Sequence, residues 1–255
     1  MPTYRDEGIV VRKQNFSEAD KILIICTKNN GKITAIAKGA RRITSRKVSS
    51  TELFVHGLYH FAKGRNMDII TESEILNPFT RLREDLRKAS LAFYLTELLD
   101  GFTKGGQADY SLYRLFLETM SLLSRAKKKH DLWVRAFEMK ALNHLGFGPE
   151  LYQCACCASS LSAEKYLEVE HGGTVCRDCF SDGILLREPL LVFLRNLQRR
   201  NWNELFRLRY EEQELTDSEK VLQRYLRQIL EKDLNSVDFV ERVREQLGPC
   251  SAGAS

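Results

Sequence analysis

Asp20-Lys21-Ile22-Leu23-Ile24-Ile25-Cys26-Thr27-Lys28-Asn29-Asn30-Gly31-Lys32-Ile33-Thr34-Ala35-Ile36-Ala37-Lys38 decides how the first third of the chain folds. Two runs rich in β-branched residues, 21–27 and 32–38, flank Asn30-Gly31. That dipeptide predicts a hairpin turn with positive φ at both central positions. Outward from the hairpin, 8–12, 51–62 and 68–74 are further short runs of strand character, and Lys63-Gly64-Arg65-Asn66 reads as the turn between the last two. Phe54, Leu58 and Phe61 mark the fourth run as a long, partly buried strand. Five strands with no helix-period segment between them predict a small closed barrel. The OB-fold is the common five-stranded solution, and an SH3-like barrel is its rival.

From Asn77-Pro78 the apolar period changes to that of a helix. Leu82, Leu86, Ala89 and Phe93 lead into Leu98 and Phe102, and Leu112, Leu115, Phe116, Thr119, Leu122 and Leu123 form a second stripe. Leu132, Ala136, Met139, Leu142 and Leu145 form a third, stopped by Gly146 with Pro149 beyond. Leu190, Phe193, Leu194 and Leu197 follow, then Val221, Leu222, Tyr225, Leu226 and Ile229. Thr216 with Glu219 reads as a capping box opening that last helix. The expected class is α+β, with a barrel at residues 1–76, helices at 77–150 and 184–247, a cysteine insert at 151–183 and a flexible tail at 248–255.

The 255 residues carry a net charge of +5, unevenly spread. Residues 1–76 hold 13 Lys/Arg and 8 Asp/Glu, so the whole excess sits in the first third. That distribution points to a polyanion-binding surface there. The polar amino terminus and the short apolar runs predict neither a targeting segment nor a membrane span.

The insert is the most specific local signal. Cys154-x2-Cys157, eighteen intervening residues and Cys176-x2-Cys179 form two knuckles that can place four thiolates around one ion. Four thiolates leave no open coordination position, so the predicted cofactor is one structural zinc per chain. Residues 166–175, with Gly172-Gly173 at the turn, read as the short hairpin of a zinc ribbon. Cys156 is a spare thiol or a substitute ligand, and His171 reads as a solvated turn residue. Seven cysteines, four of them in tight pairs, fit a reduced cytoplasmic compartment better than disulfides.

Lys38-Gly39-Ala40-Arg41-Arg42-Ile43-Thr44-Ser45-Arg46-Lys47 concentrates five cations in ten residues without an acid. Lys38, Arg41, Arg42, Arg46 and Lys47 are therefore candidate phosphate contacts, with Arg12, Lys13 and Lys32 extending the surface. Phe16, Tyr59 and Phe61 are candidate stacking platforms for single strands if exposed, although an aromatic in such a strand is more often a core residue. Catalysis has no visible seat. A G-x-x-x-x-G-K-[ST] loop, a G-x-G-x-x-G turn and an H-E-x-x-H helix are all absent, Lys104-Gly105-Gly106-Gln107 lacks the phosphate-loop spacing, and the five histidines are scattered.

The chain resembles the RecO family. The likeness is carried by Gly8-Ile9-Val10-Val11, by Ser17-Glu18-Ala19-Asp20-Lys21-Ile22-Leu23, by Gly31 through Arg42, and by Leu145-Gly146-Phe147-Gly148-Pro149 directly before the knuckles. It runs through nearly the whole chain in the same order. The resemblance implies an amino-terminal OB-fold, a helical domain and a zinc-binding insert. It implies a non-enzymatic mediator of DNA repair and recombination that binds single- and double-stranded DNA and anneals complementary strands. It further implies partnership with RecR, contact with the acidic tail of single-strand-binding protein, help in loading RecA, and a cytoplasmic, nucleoid-associated place of work. Some relatives lack the cysteines, so zinc is not essential to that activity.

Overall fold

The computed structural model describes residues 1–42, 47–103 and 107–247. Arg46, most of the Lys104-Gly105-Gly106-Gln107 stretch and the tail from Gly248 lie outside them. The chain forms two compact units, one of Met1–His130 with the segment from Asn235 onward and one of Asp131–Leu234.

The first unit opens with β1 (Thr3–Phe16), β2 (Asp20–Thr27), β3 (Gly31–Ala37), β4 (His56–Ala62) and β5 (Asp68–Asn77). They close into a barrel in the order β1-β2-β3-β5-β4. Closure is made by a short parallel pairing, Ala35 with Asp68 and Ile36 with Ile69, while the other ladders are antiparallel. This is the OB arrangement, and it settles the choice against the SH3-like alternative. Inside lie Val10, Leu23, Ile25, Ile33, Ala35, Tyr59, Phe61 and Ile70, all buried. Tyr59 and Phe61 are thus core residues, not exposed stacking platforms.

The β2–β3 turn departs from the expected two-residue form. Thr27 pairs with Gly31, leaving three residues in the loop, and Gly31 alone takes positive φ, at 66°. Such a loop ends in a glycine bulge. Its polar groups are held by Asp6, which is 1% exposed. Asp6 accepts from the backbone N–H and the side-chain amide of both Asn29 and Asn30, at 2.7–3.1 Å.

Two strand limits also moved. β1 is far longer than 8–12, because it pairs with β4 along its first half and with β2 along its second. The fourth run starts as strand only at His56; before it comes a 3-10 turn, Ser49–Thr51, and Phe54 at φ 63°.

Four helices complete this unit: α1 (Thr80–Glu84), α2 (Leu86–Phe102), α3 (Tyr110–Arg125) and, from the far end of the chain, α8 (Asn235–Leu247). Asp85 breaks the stripe expected through Leu82 and Leu86 by capping α2, its carboxylate accepting from the Lys88 amide, and Leu86 is left exposed. α8 returns to α2, where Glu97 accepts from the Asn235 and Ser236 amides at its first turn.

The second unit contains α4 (His130–His144), α5 (Glu188–Arg199), α6 (Trp202–Phe206) and α7 (Glu212–Leu230), with β6 (Lys165–Glu168), β7 (Gly173–Cys176) and β8 (Ile184–Leu185) inserted. α7 begins a turn earlier than Thr216 suggests. Its capping box is Glu211 with Glu214, and the Thr216 hydroxyl instead bonds back to the Glu212 carbonyl. The strands form a small sheet in the order β7-β6-β8. Gly172 supplies φ 69° at the β6–β7 turn. A Cβ on Gly173 would stand 2.5 Å from the Glu150 backbone, which bridges to that strand. Glu168, 1% exposed, accepts from the Ser181 and Asp182 amides and from the Ser181 hydroxyl, and pairs with His171 Nδ1 at 2.7 Å. His171 is therefore spoken for, not merely solvated.

Two stability predictions follow. Asp6→Ala leaves four donors of the β2–β3 turn without their shared acceptor, and urea unfolding is expected to show a loss of about 2–4 kcal/mol. For Glu168, burial opposes ionisation, but the Ser181 amide and His171 outweigh it and hold the carboxyl below its ordinary value. A depressed carboxyl contributes stability above its unfolded pKa, and that contribution is lost as pH falls through the folded one. Glu168→Gln should therefore destabilise by about 1–3 kcal/mol near neutrality and flatten the decline that sets in as pH falls below about 5. Parallel curves for parent and variant count against this assignment.

Candidate nucleic-acid interface and metal centre

The cationic segment begins where β3 leaves the barrel. Gly39 takes φ 70°, and the turn is stitched to the tip of the β1–β2 hairpin. Gly39 N–H donates to Asp20 at 2.8 Å, the Arg41 amide to the Ala19 carbonyl at 2.9 Å, and the Arg41 guanidinium to the Ser17 carbonyl at 2.7 Å. These bonds order the backbone while leaving Lys38, Arg41 and Arg42 exposed. None of the three has a carboxylate partner among the described residues. Phe16, 44% exposed, sits on the same hairpin tip.

The other candidate cations divide. Arg12 is exposed and has no carboxylate partner among the described residues. Lys13 is paired with Glu52, which also takes Lys21 at 2.9 Å, and Lys32 is paired with Asp100 of α2. Lys47 is half-buried and donates to the Ile70 carbonyl at 2.8 Å; burial lowers its pKa. Lys13, Lys32 and Lys47 thus serve the barrel's own structure, whereas Lys38, Arg41, Arg42 and Arg12 present their charge outward. Partly exposed pairs of this kind hold weakly.

Two cationic features were not singled out in the sequence. Arg125-Ala126-Lys127-Lys128-Lys129, which starts at the last residue of α3, packs four cations into five residues, more densely than 38–47. In the second unit, Arg199 lies 3.8 Å over the Tyr152 ring and Arg195 lies 4.8 Å from it, two residues before the first cysteine. The first is visible as a plain charge run; the second depends on packing.

In the insert, the Sγ atoms of Cys154, Cys157, Cys176 and Cys179 all lie within 4.8 Å of one another. The first knuckle is shaped by Ala158 at φ 58°, whose amide returns to the Cys154 carbonyl at 2.9 Å. The second is the 3-10 turn Arg177–Cys179, braced by Phe180 stacked on Tyr166 at 3.9 Å. Cys157 and Cys176 are 3.9 Å apart. A tetrahedral ion with 2.3 Å bonds to sulfur needs an edge of about 3.8 Å, whereas a disulfide needs about 2.05 Å. The group is therefore sized for a metal ion. Cys156 is exposed and stands outside it.

Burial opposes ionisation of Cys154, but the Cys157, Cys176 and Cys156 amides outweigh it and bring it down to about 6. The Ser159 hydroxyl and amide lower Cys157, whereas hydrogen bonds to Cys157 and Cys176 raise Cys179. Amides aimed at sulfur are what a thiolate cluster requires.

Comparisons with known proteins agree with this architecture. The family model described as Recombination protein O N terminal matches residues 1–79, and the one described as Recombination protein O C terminal matches 83–238. A DNA repair protein RecO from Roseiflexus sp. is 36% identical over 259 residues, covering 99% of this chain and 91% of that protein. Another, from Symbiobacterium thermophilum, is 31% identical over 251 residues, covering 96% and 99%. No helix among the described residues is long and apolar enough to cross a membrane. With both halves of the family matched in order and the barrel, helices and cysteine cluster in place, the chain belongs to the RecO family.

Proposed function

We propose that this protein is a non-enzymatic recombination mediator that binds single- and double-stranded DNA and anneals complementary strands. Membership of the family carries the broader role in DNA repair and recombination. In the finer reading, the protein acts with RecR on DNA coated by single-strand-binding protein, whose acidic tail it contacts, and assists RecA loading in the cytoplasm at the nucleoid.

The observation that carries DNA binding is the ordered turn bearing Lys38, Arg41 and Arg42, exposed and free of carboxylate partners among the described residues. Arg12 extends it, and Arg46 belongs to the same segment outside the described residues. Lys13, Lys32 and Lys47 are secondary contacts, since each must first leave its partner in the barrel. Guanidinium groups on a fixed backbone match phosphate oxygens in pairs. Catalysis is not part of the reading: DNA is to be bound and released covalently unchanged.

The four cysteines suit one structural zinc. Bound there, the ion would tie the Cys154–Cys157 knuckle to the Cys176–Cys179 turn, and a full thiolate shell leaves no position for a reacting molecule.

Two experiments test these assignments. Neutralising about five phosphates gives a log–log salt slope near −3.5 on single strands. Arg41→Ala with Arg42→Ala should reduce that slope by more than about one unit, weaken strand annealing in a fluorescence assay, and leave the melting temperature nearly unchanged. An unaltered slope moves the interface elsewhere. Elemental analysis should find one zinc per chain, lost in Cys176→Ser, with apparent stabilisation of about 10–16 kcal/mol typical of small zinc modules. Protein purified without chelator and carrying well under half a zinc per chain contradicts the metal assignment.

A further inference from the structure

The cysteine insert holds five sulfurs, and four of them form the metal-sized group. Among the described residues of the insert, Cys156 is the one thiol outside that group, and it is exposed. It is not remote from the site. Cys156 stands between the ligand positions Cys154 and Cys157, its amide is directed at the Cys154 sulfur, and its thiol hydrogen-bonds to Cys179 of the second knuckle.

The other four sulfurs are engaged differently. Cys154 and Cys176 are buried, and the Cys176 amide donates to the Cys154 sulfur at 3.4 Å. Cys157 is exposed, but it lies 3.9 Å from Cys176 with the Ser159 hydroxyl against it at 3.1 Å. Cys179 is half-buried. With a metal bound, each of these four would carry a bond to it, and Cys156 would remain the thiol without one. Exposure and availability thus coincide at a single sulfur, and they are what select a thiol for oxidation.

We propose that Cys156 is an oxidation site for hydroperoxides, resolved by Cys179 into a reversible disulfide that withdraws one ligand from the metal centre. The proposal rests on the metal reading above. Cys154 and Cys157 share the tight turn of Cys156 itself, where the geometry of a disulfide is hard to meet; Cys179 approaches from the opposite knuckle. The peroxide O–O bond breaks as the Cys156 sulfur takes one oxygen, giving a sulfenic acid and a first water. The Cys179 sulfur then displaces that oxygen as a second water, and the S–S bond forms. Two electrons pass from the two sulfurs to the two peroxide oxygens. The hydrogens come from the thiols, or from solvent where a sulfur was bonded to metal. Three ligands are left, an incomplete shell for a structural ion. The new bond joins the Cys154–Cys157 knuckle to the Arg177–Cys179 turn, the same segments that the ion would tie, so the insert stays linked. Two equivalents of a small thiol return both sulfurs by exchange.

The test treats zinc-loaded full-length protein with hydrogen peroxide and follows released zinc with a chromogenic chelator. The parent should lose its zinc, whereas Cys156→Ser, which keeps all four ligands, should retain it at the same dose and time. Cys26 and Cys250 are common to both proteins. Cleavage after Lys165 and Arg177 places Cys156, Cys176 and Cys179 in three separate peptides. Non-reduced digests of the oxidised parent should contain the Cys156 peptide joined to the Cys179 peptide, with fragmentation locating the bond at Cys156. A dithiol with added zinc should restore the thiols and the ion. Equal behaviour of parent and variant, or bonds that leave Cys156 a free thiol, overturns the oxidation site and leaves the metal reading standing. Protein without zinc before peroxide is added overturns the metal reading, and this proposal with it.

Discussion

The barrel depends on β1 serving two neighbours at once. It pairs with β4 from Thr3 to Ile9 and with β2 from Gly8 to Phe16, so it must bend where the two ladders overlap. The bulge between Val10 and Arg12 supplies that bend, and bulges add twist as well. On the other edge of β1, the Val10 backbone stays paired past the last rung of the β1–β4 ladder. Val10 N–H donates to the Val55 carbonyl at 3.1 Å, and the Phe54 amide donates to the Val10 carbonyl at 2.8 Å. Phe54 reaches this position in the left-handed region at φ 63°, with its buried ring against Phe93 of α2. One inserted residue thus couples barrel closure, the late start of β4 and the outward turn of Arg12, Gln14 and Phe16.

Charge is sorted by the same closure. The amino-terminal third has a cationic excess, but not every cation is available. Glu52 gathers Lys13 and Lys21, Glu7 takes Lys28 at 3.2 Å together with His56, and Asp100 takes Lys32. Among the cations left without a carboxylate partner in the described residues, Lys38, Arg41 and Arg42 gather at the exit from β3, whereas Arg5, Lys63 and Arg65 lie at the start of β1 and in the turn after β4. A dispersed net charge becomes a local field because acids are distributed unevenly around a small cylinder.

The cysteine insert answers a different constraint. Strands of four, four and two residues enclose too little apolar surface to hold themselves. Two internal ties make up for this: Glu168, whose buried carboxylate gathers the Ser181–Asp182 loop, and the four sulfurs, which join the two knuckles. Both bring distant backbone amides onto a single anionic centre.

Much of this was legible in the residues themselves. Alternation in 21–27 and 32–38 located a hairpin, helical stripes located α2, α3 and α4, and the paired Cys-x2-Cys spacing identified the thiol cluster, because each signal depends on neighbours within a few positions. The Asn30-Gly31 turn type, the exposed Leu86, and the engagement of Lys13 and Lys32 were not. Turn geometry there answers to Asp6 from another strand, and lysine availability answers to Glu52 and Asp100 far along the chain. The face that Phe16 presents depends on a one-residue slip that leaves no mark in composition or period. Local sequence determined which segments are strands, helices and ligand knuckles; only closure of the barrel decided which side chains point outward, since register and ion pairing are made between residues that meet only when the chain has folded.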